Sequence, residues 1–369
     1  MKRKYDLAIF IGRMQPIHNG HVHNIQKGLE IADNVLVILG SANQPRTIKN
    51  PFTVQERTDL LKELFPTGRV AVRSVEDYLY QETRWIQSVQ AVVHHHIVSS
   101  PLSYRFKDED GHITPSDAKI TVLGHEKDAS SYYLKFFPTW DYTEIPEALE
   151  YEGKVLGGTE IRDAYFCNRK DLGCEGWGAI GVNVLPREVI NFLFRFADTA
   201  DYEALRKEYE YIHRYKEEWS VAPYPVTFFT TDAVVVQSGH ILLVKRRTEP
   251  GKGLWALPGG FLGHNERAKD SMIRELKEET KIAVPPAVLR GSIKAERLFD
   301  APNRSLRGRT ITQAFLIDLP DQPKLPKVKG SDDAEEAKWF PLDMVSEMTH
   351  CLFEDHQSII HMMVSLTED

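Results

Sequence analysis

Residues 255–282 read WALPGGFLGHNERAKDSMIRELKEETKI, and this stretch decides the fold of the second half of the chain. A Pro-Gly-Gly loop leads into a run with helical spacing, which predicts a helix over 266–280. Within that run Glu275, Glu278 and Glu279 stand at i, i+3 and i+4, so their side chains share one helical face. The stretch therefore predicts an acidic helix face behind a tight glycine loop.

The close spacing of the three carboxylates has a chemical consequence. Negative charges this near one another repel strongly, and hard divalent cations with oxygen ligands supply the missing counter-charge. We predict that Glu275, Glu278, Glu279 and the backbone of Gly260 bind Mg²⁺, with Mn²⁺ as the alternative ion. Such a metal bridges a diphosphate and activates a water. A solvated acidic face is the alternative, but it leaves the fixed spacing of the preceding loop unexplained.

The spacing from Gly260 through the RELKEE run at 274–279 resembles the signature of the Nudix hydrolases. The resemblance implies a Mg²⁺-dependent enzyme that cleaves a nucleoside diphosphate linked to another group, with Glu278 and Glu279 as catalytic residues. One position departs from the family pattern, because Lys281 stands where the family usually has Gly. If Lys281 follows the helix end with a positive φ, a side chain there costs about 1 kcal/mol.

Substrate choice lies outside the acidic helix. Residues 299–309 read FDAPNRSLRGR, and this stretch resembles the ADP-ribose pyrophosphatase branch of the family. The resemblance implies that Arg304, Arg307 and Arg309 bind the diphosphate or a terminal ribose phosphate of ADP-ribose. The stretch is also similar to Nudix-related transcriptional regulators, which usually lack the catalytic carboxylates that this chain retains. A solvated basic loop is the alternative interpretation of the three arginines.

Two questions about the second half stay open at this point. Glu278, Glu279 and the loop acids Glu335 and Glu354 are all candidates for the general base. The module could also serve another nucleoside diphosphate derivative, or act only as a sensor of a metabolite. Release of AMP from ADP-ribose by the wild type but not by Glu279→Gln would separate an enzyme from a sensor.

The first half alternates apolar runs with helical patterns, which predicts a doubly wound parallel sheet. The apolar runs lie at 7–11, 35–40, 70–75 and 120–123. The first of them leads into GRMQPIHNGH at 12–21, where a helix begins. His18 and His21 lie at that helix start and add donors to the backbone N–H groups that favour phosphate there. The sequence therefore places a nucleotide site at the end of the first strand.

Three segments together resemble the archaeal-type nicotinamide mononucleotide adenylyltransferases. They are GRMQPIHNGH at 12–21, NPFTVQER at 50–57 and GTEIR at 158–162. The resemblance covers roughly residues 5–197 and implies a reaction of ATP with nicotinamide mononucleotide that gives NAD and pyrophosphate. It also implies the ATP-binding residues, which are Gly12, Arg13, His18, His21, Gly158, Thr159 and Arg162.

In this family catalysis is largely positioning and charge stabilisation. His18, His21 and Arg162 carry over as the catalytic residues, with Arg162 on the leaving pyrophosphate. The family often has Ser at the position of Gly157. One phosphate hydrogen bond is therefore missing in this chain or comes from Thr159.

The same resemblance implies a nicotinamide mononucleotide site formed by Asn50, Arg57, Trp85 and Lys127. Arg57 would hold a phosphate, and Trp85 would stack on the nicotinamide ring, because a cationic pyridinium gains from an aromatic face. Lys127 belongs to GHEKDASSYY at 124–133. That segment resembles its counterpart in bacterial fusion proteins that join this adenylyltransferase to a Nudix domain.

The two halves predict an α/β protein of two domains. The limits are 1–197 for a Rossmann-like nucleotidyltransferase domain, 198–223 for a helical linker and 224–369 for an α/β/α Nudix domain with a mixed sheet. Further strands are predicted at 226–236, 241–245, 311–318 and 337–340, with a Ser238-Gly239 turn between the first two. Further helices are predicted at 85–98, 185–196 and from Phe353 onward.

Composition restricts the class of protein. No apolar stretch approaches the roughly 18 residues of a membrane span. A formal charge of −7 argues against a general nucleic-acid binder, which is usually basic. Cys167, Cys174 and Cys351 show no C-x-x-C spacing and are interpreted as free thiols in a reducing cytoplasm.

Together the two resemblances predict a bifunctional enzyme of NAD metabolism. The first domain makes NAD from nicotinamide mononucleotide and ATP, and the second hydrolyses ADP-ribose to AMP and ribose 5-phosphate, with Mg²⁺ in both. The expected partners are small molecules: nicotinamide mononucleotide, ATP, NAD and ADP-ribose, with the oligomeric state left open. Nicotinate mononucleotide and phosphopantetheine are the rival acceptors at the first site.

Overall fold

The chain folds into two compact units. The computed structural model describes residues 3–100, 117–125, 134–146, 150–151, 154–155, 157–167, 181 and 183–367. The units are Met1–Arg206 and Lys207–Asp369, and their boundary lies within a helix at Ala200–Trp219. That helix lies in the segment predicted as a helical linker, whereas the predicted domain limits stay a prediction. In the described part of the chain, no helix has the length and apolar character to cross a bilayer.

A parallel sheet forms the centre of the first unit. Its strands are β1 Tyr5–Gly12, β2 Ala32–Leu39, β3 Val70–Ser74, β4 Ile120–Gly124 and β5 Asp141–Glu144. The order β3-β2-β1-β4-β5 puts the first strand in the middle. The winding reverses between β1 and β4, where open α/β sheets bind ligands beyond the carboxyl ends of the strands. The predicted doubly wound sheet is confirmed.

Helices and a short hairpin complete the first unit. They are α1 Asn19–Ile31, α2 Val54–Leu64, α3 Glu82–Ser99, the hairpin β6 Glu150–Tyr151 and β7 Lys154–Val155, α4 Gly158–Cys167 and α5 Arg187–Phe196. The helix at Ala200–Trp219 is α6. Amphipathic spacing explains α5, which buries Val189, Leu193 and Phe196. The helices predicted at 85–98 and 185–196 are both present.

One glycine sets how closely α1 approaches the sheet. A Cβ on Gly28 would lie 2.7 Å from Leu123 Cδ1 and 3.0 Å from Val35 Cγ2. Gly28 therefore lets the helix backbone rest directly on β2 and β4. This close packing fixes the start of α1, and with it His18 and His21, relative to the strand ends.

The second unit is built on a mixed sheet. Its strands are β8 Thr227–Gln237, β9 His240–Arg246, β10 Trp255–Ala256, β11 Gly259–Phe261, β12 Ile293–Phe299, β13 Arg309–Asp318 and β14 Ala334–Pro341. The main order is β10-β9-β8-β13-β12, with β11 on β8 and β14 on β9. Only the β8–β13 pair is parallel among the described pairings of this sheet. Ser238 and Gly239, both with positive φ, form the predicted turn.

Helices pack against this sheet. They are α7 Ala268–Thr280, α8 Pro286–Gly291 and α9 His356–Val364. Met272, Ile273 and Leu276 of α7 are buried in one cluster with Ala233 and Val235 of β8. The α9 helix contacts β12 and β13. The acidic residues of α7 therefore lie outside this apolar cluster.

Several details of the second unit differ from the sequence-based expectations. Strand β12 has no counterpart among them, because its IKAERLF sequence is largely exposed and charged and buries only Phe299 fully. The α7 helix begins at Ala268 rather than Glu266, and α9 begins at His356 rather than Phe353. Strands β10 and β11 are too short for a periodic signal.

Lys281 ends α7 in the left-handed conformation, with φ 48° and ψ 29°, as its departure from the glycine pattern suggested. Its side chain is exposed. We expect Lys281→Gly to be more stable than Lys281→Ala by about 1 kcal/mol, because only glycine adopts this conformation without a Cβ clash. Urea unfolding of the two variants measures the difference, and equal midpoints would contradict it.

Candidate active sites

The first site starts where β1 passes into α1. His18 is the residue before α1 and is 5% exposed, and its ring stacks on that of His21 with centroids 3.6 Å apart. The His18 backbone N–H donates to His21 Nδ1 at 3.2 Å. The two imidazoles therefore form one rigid pair at a helix N-terminus, a position that favours an anion.

Gln15, which sequence reasoning did not single out, ties this loop to the segment at 50–53. Its side-chain amide donates to Phe52 O at 2.8 Å and accepts from Phe52 N–H at 2.9 Å. Thr53 then begins α2 with a capping box, because Glu56 accepts the Thr53 N–H at 2.7 Å. The motifs at 12–21 and 50–57 are thereby brought together, as one nucleotide site requires.

Arg162 reaches the same loop from α4. Its Nη1 donates to Gln15 O at 2.6 Å and its Nη2 to Thr159 Oγ1 at 3.1 Å. Burial, with the positive charge of Arg13 added, lowers the pKa of Arg162 to about 10. A Cβ on Gly158 would lie 3.0 Å from Gln15 O, so a side chain at this position would crowd the approach. A buried guanidinium whose charged form is penalised in this way favours an anionic partner.

At the position where the family often has Ser, the Gly157 N–H donates to Glu160 Oε2 at 2.9 Å. The backbone N–H of Gly157, the residue that departs from the family pattern, therefore has a hydrogen-bond partner within the chain. Gly12 is half-buried at the end of β1, and Arg13 beside it is exposed. Both belong to the same segment, 12–21, as His18 and His21, and their predicted roles toward ATP stay predictions.

The residues predicted for nicotinamide mononucleotide differ in their surroundings. Arg57 is 1% exposed and donates to the backbone oxygens of Arg13 at 2.6 Å and Gly40 at 2.9 Å. Burial lowers its pKa to about 10. These contacts give Arg57 a structural part in holding the ends of β1 and β2. Its predicted phosphate contact stays a prediction.

Asn50 carries a buried side-chain oxygen, Oδ1, without a hydrogen-bond partner. Buried polar atoms are normally paired, so this oxygen marks a place where a ligand donor fits. Trp85 packs against the core, with its ring centroid 6.3 Å from that of Phe137. Because Trp85 is only half-buried, part of its surface is accessible. Lys127 lies outside the described residues.

The second site is organised by Arg274 on α7. Its guanidinium donates to both oxygens of Glu266, at 2.7 and 3.0 Å, and to Glu275 and Glu278, each at 2.9 Å. Hydrogen bonds from Arg274 lower the pKa of Glu266 to about 2. Burial raises the pKa of Glu275 despite this arginine. One cation therefore bonds to three carboxylates and offsets only part of their charge.

Glu279 lies on the same helix but in different surroundings. It is 8% exposed and accepts the Gly259 N–H at 3.0 Å. Burial raises its pKa to about 8. A Cβ on Gly260 would lie 2.5 Å from the Glu275 carboxylate, so this glycine brings loop backbone against the acidic helix face. The arrangement leaves net negative charge with too few counter-charges.

The predicted metal ligands are neighbours, but they do not surround a common point. Glu275 and Glu278 are turned to Arg274, and Glu279 is turned to Gly259. Across the residues that the structure describes, no three His, Cys, Asp or Glu side chains form a ready metal cluster. The donor chemistry nevertheless suits a hard divalent cation, because carboxylate and backbone carbonyl oxygens are its preferred ligands.

A cavity of about 100 Å³ opens beside Gly259, Gly260 and Glu279. Its other lining residues include Asp232, Arg246, Arg307, Phe353, Glu354 and His356. Burial raises the pKa of Asp232 to about 6, and Thr312 Oγ1 donates to it at 2.6 Å. Asp232 interrupts the apolar β8 sequence, and this was the one available sign of its role. Arg307 and Glu354 were also singled out from the sequence, whereas Arg246, Phe353 and His356 belong to no motif.

The three predicted substrate arginines have separate environments. Arg304 lines the cavity but is 5% exposed and makes a bidentate ion pair with Asp355, at 2.8 and 2.9 Å. Arg307 also lines the cavity, 5.2 Å from the centre of the Phe261 ring. Arg309 is outside the cavity lining and donates to Asp300 O. The structure thus brings two of the three to the cavity.

The raised pKa of Glu279 predicts how stability depends on pH when divalent ions are chelated. The unfolded chain loses this proton near its usual pKa of 4.5 and the folded chain near 8, so the folded state holds more protons between these values. Stability must therefore fall as pH rises across that window, by about 1 kcal/mol or more. Urea unfolding at about pH 5 and about pH 8 measures it.

Two variants test the assignment. Glu279→Gln should lose less stability over this window than the wild type, because its amide does not titrate. Glu278→Gln, which changes a side chain that is 44% exposed, should keep the wild-type slope. A Glu279→Gln slope equal to that of the wild type would contradict the prediction.

Comparison with known proteins defines the class of each unit. Residues 9–136 match the cytidylyltransferase-like family and residues 227–362 match the NUDIX domain family. A nicotinamide/nicotinic acid mononucleotide adenylyltransferase of Acinetobacter baylyi is 31% identical over 56% of this chain and 94% of its own. An ADP-ribose pyrophosphatase of Methanocaldococcus jannaschii is 33% identical over 35% of this chain and 68% of its own.

A solved structure spans both units at once. It is a bifunctional NMN adenylyltransferase/ADP ribose pyrophosphatase of Francisella tularensis, complexed with AMP and a manganese ion. It is 33% identical and covers 98% of this chain and 99% of its own, with a TM-score of 0.83. This chain therefore belongs to the family of bifunctional nicotinamide mononucleotide adenylyltransferases and ADP-ribose pyrophosphatases.

Proposed function

We propose that the first unit joins nicotinamide mononucleotide to the adenylyl group of ATP, giving NAD and pyrophosphate, and that the second hydrolyses ADP-ribose to AMP and ribose 5-phosphate. The observation that carries the proposal is family membership along the whole chain, since one relative matches 98% of it. The two sites support it independently. One concentrates donors at a helix N-terminus, and the other concentrates carboxylates behind a glycine loop.

In the first unit the proposed chemistry is positioning plus charge stabilisation. The phosphate of nicotinamide mononucleotide attacks the α-phosphate of ATP, and pyrophosphate leaves. His18 and His21, locked together by stacking and by the His18 N–H bond, hold ATP phosphates at the start of α1. Arg162, already fixed by Gln15 and Thr159, offers its charge to the pyrophosphate.

The acceptor side of the first site rests on Asn50 and Trp85. The unpaired Asn50 Oδ1 accepts from a donor of the bound mononucleotide, and the accessible surface of Trp85 stacks on its pyridinium ring. Arg57 contributes by holding the strand ends, with a phosphate contact as its further proposed role. Lys127 is proposed for the same substrate from its position in the 124–133 segment.

In the second unit Glu275, Glu278, Glu279 and the carbonyl of Gly260 would hold Mg²⁺, with Mn²⁺ able to replace it. When bound, the ion supplies Lewis-acid polarisation of the diphosphate and a lowered pKa for water. The residues of this chain do the rest. Arg274 orients two of the carboxylates, and Arg307, which lines the cavity, contacts the substrate phosphates. Mg²⁺ is proposed for the first unit as well.

The test of this proposal separates the two activities in one protein. The full chain is incubated with ATP plus nicotinamide mononucleotide and, separately, with ADP-ribose and Mg²⁺, and the products are identified by mass. Arg162→Lys should lower NAD formation by at least about tenfold and leave AMP release unchanged, because lysine cannot reproduce the fork that Arg162 uses. Glu279→Gln should do the reverse.

Exposed Arg187→Lys is the matched control for the first variant and should keep both activities. Equal release of AMP by wild type and Glu279→Gln would favour a sensor over an enzyme in the second unit. Phosphopantetheine as the only acceptor would contradict the first activity, and nicotinate mononucleotide as a better acceptor would revise its substrate.

Among the loop acids, Glu354 fits a general base better than Glu335. Glu354 lines the cavity, and its Oε1 is buried without a hydrogen-bond partner. Its φ of 44° is strained for a residue other than glycine, and such strain persists at functional positions. The Glu335 side chain is 58% exposed and pairs with Lys245 at 3.9 Å, away from the cavity lining.

We expect Glu354→Gln to lower kcat for AMP release by at least about a hundredfold, since general-base catalysis contributes on this scale. Glu335→Gln, the matched control, should stay within about threefold of wild type. Rates with saturating Mg²⁺ and ADP-ribose measure both. Comparable losses in the two variants would count against Glu354 as the base.

A further inference from the structure

A segment near the C-terminus, residues 352–356, runs beside the loop that leads into the acidic helix. The Phe353 N–H donates to Trp255 O at 2.8 Å, and Trp255 and Leu352 form a parallel bridge. One step further along, the Leu257 N–H donates to His356 Nδ1 at 2.8 Å. Segment 352–356 thus holds the chain immediately before Gly259 and Gly260.

Among the backbone groups of residues 257–259, the N–H of Leu257 is the one that donates to His356. Pro258 follows it and has no N–H to donate. The carbonyl of Pro258 accepts from the Ala233 N–H at 2.8 Å, and the next donor, Gly259 N–H, goes to Glu279. A buried N–H needs an acceptor, and for Leu257 that acceptor is a side chain from α9.

His356 can accept only in one chemical form. Because Nδ1 receives the Leu257 N–H, it carries no proton, and the neutral ring carries its proton on Nε2. His356 is 5% exposed, and its burial together with Arg304 and Arg246 holds its pKa well below 6.5. Arg304 is in turn fixed by Asp355, the residue before His356. The accepting form is therefore built into the fold.

We propose that His356 is a positioning residue for diphosphate hydrolysis, which it supports by accepting the Leu257 N–H and thereby holding the Pro258-Gly259-Gly260 loop against α7. In that position the Gly259 N–H meets Glu279, and Gly260 lies against the Glu275 carboxylate. The proposal rests on the function proposed for the second unit. It assigns to α9 a part in the geometry of the metal-binding face.

Two substitutions distinguish the roles of the two ring nitrogens of His356. His356→Asn places an oxygen near the position of Nδ1 and keeps an acceptor for Leu257. His356→Gln places its amide near Nε2 and removes that acceptor. The exposed His350→Gln serves as the control for a histidine of the same region. The full chain is used throughout, and its NAD formation shows in each variant that the protein is intact.

Two measurements are made on each variant. One is kcat/KM for AMP release from ADP-ribose as a function of Mg²⁺ concentration. The other is hydrogen exchange of the Leu257 amide in ¹⁵N-leucine-labelled protein with divalent ions chelated, with Leu243 of β9 as the reference. We expect His356→Gln to lose about 10- to 100-fold in kcat/KM and to need more Mg²⁺, and to lose Leu257 protection. His356→Asn should retain both within about threefold.

Three results would overturn the proposal. The first is normal hydrolysis by His356→Gln. The second is loss in His356→Asn with retention in His356→Gln, which would assign the role to an Nε2–H donor. The third is a variant in which only one of the two readouts changes, either protection of the Leu257 amide or the rate of AMP release, while the Leu243 amide stays protected. If the wild type fails to release AMP, the proposed function fails, and Leu257 exchange still decides whether His356 holds the loop.

Discussion

The second unit depends on how three carboxylates coexist on one face of α7. Arg274 binds two of them, and burial raises the pKa of the third, Glu279, to about 8. Neither effect removes the repulsion between the carboxylates, because the single guanidinium of Arg274 bonds to Glu266, Glu275 and Glu278 together. The fold stabilises this cluster through the apolar face of the same helix, which is buried against β8. The packing of the core therefore sets the position of the acidic face.

The first unit also buries charged side chains at its site, but there they are the cations Arg57 and Arg162. Burial lowers the pKa of both Arg57 and Arg162 to about 10, and Arg13 adds to the effect in each case. Backbone carbonyls of the strand ends and of the β1–α1 loop hold these arginines in place of carboxylates. Acidic groups such as Asp77 and Asp163 only partly offset the burial of these cations, which therefore favour bound phosphate, just as crowded carboxylates favour a cation. Each site is thus incomplete in the charge that its proposed ligand supplies.

The sequence predicts the parts of the sites that lie within continuous motifs. The i, i+3, i+4 spacing of α7 is set by helix geometry alone, and the helix start at residues 18–21 follows from the strand before it. The link from Gln15 to Phe52 and the hydrogen bond from Leu257 to His356 could not be predicted, because each joins distant segments. Strand β12 was missed for another reason. Its exposed, charged side chains hide the alternation that identifies a strand.

The resemblance of the 299–309 loop to a substrate-binding stretch implied one role for its three arginines. In the structure each of the three makes different tertiary contacts. Arg304 is neutralised by Asp355, so its charge is already used within the fold. Arg309 donates to Asp300 O and is not part of the cavity lining. The cavity instead receives a cation that no loop motif contains, Arg246, which lies 4.1 Å from the centre of the Phe353 ring.

Arg246 and Arg307 are thus basic residues of the cavity lining, and Asp232, Glu279 and Glu354 are acidic ones. Arg246 acts electrostatically on Glu279 and Glu354, so acidic and basic groups lie close together in one small cavity. Arg304 contributes to this by fixing Asp355 and, through it, the start of α9. The predicted contact of Arg304 with ADP-ribose stays a prediction beside this structural role.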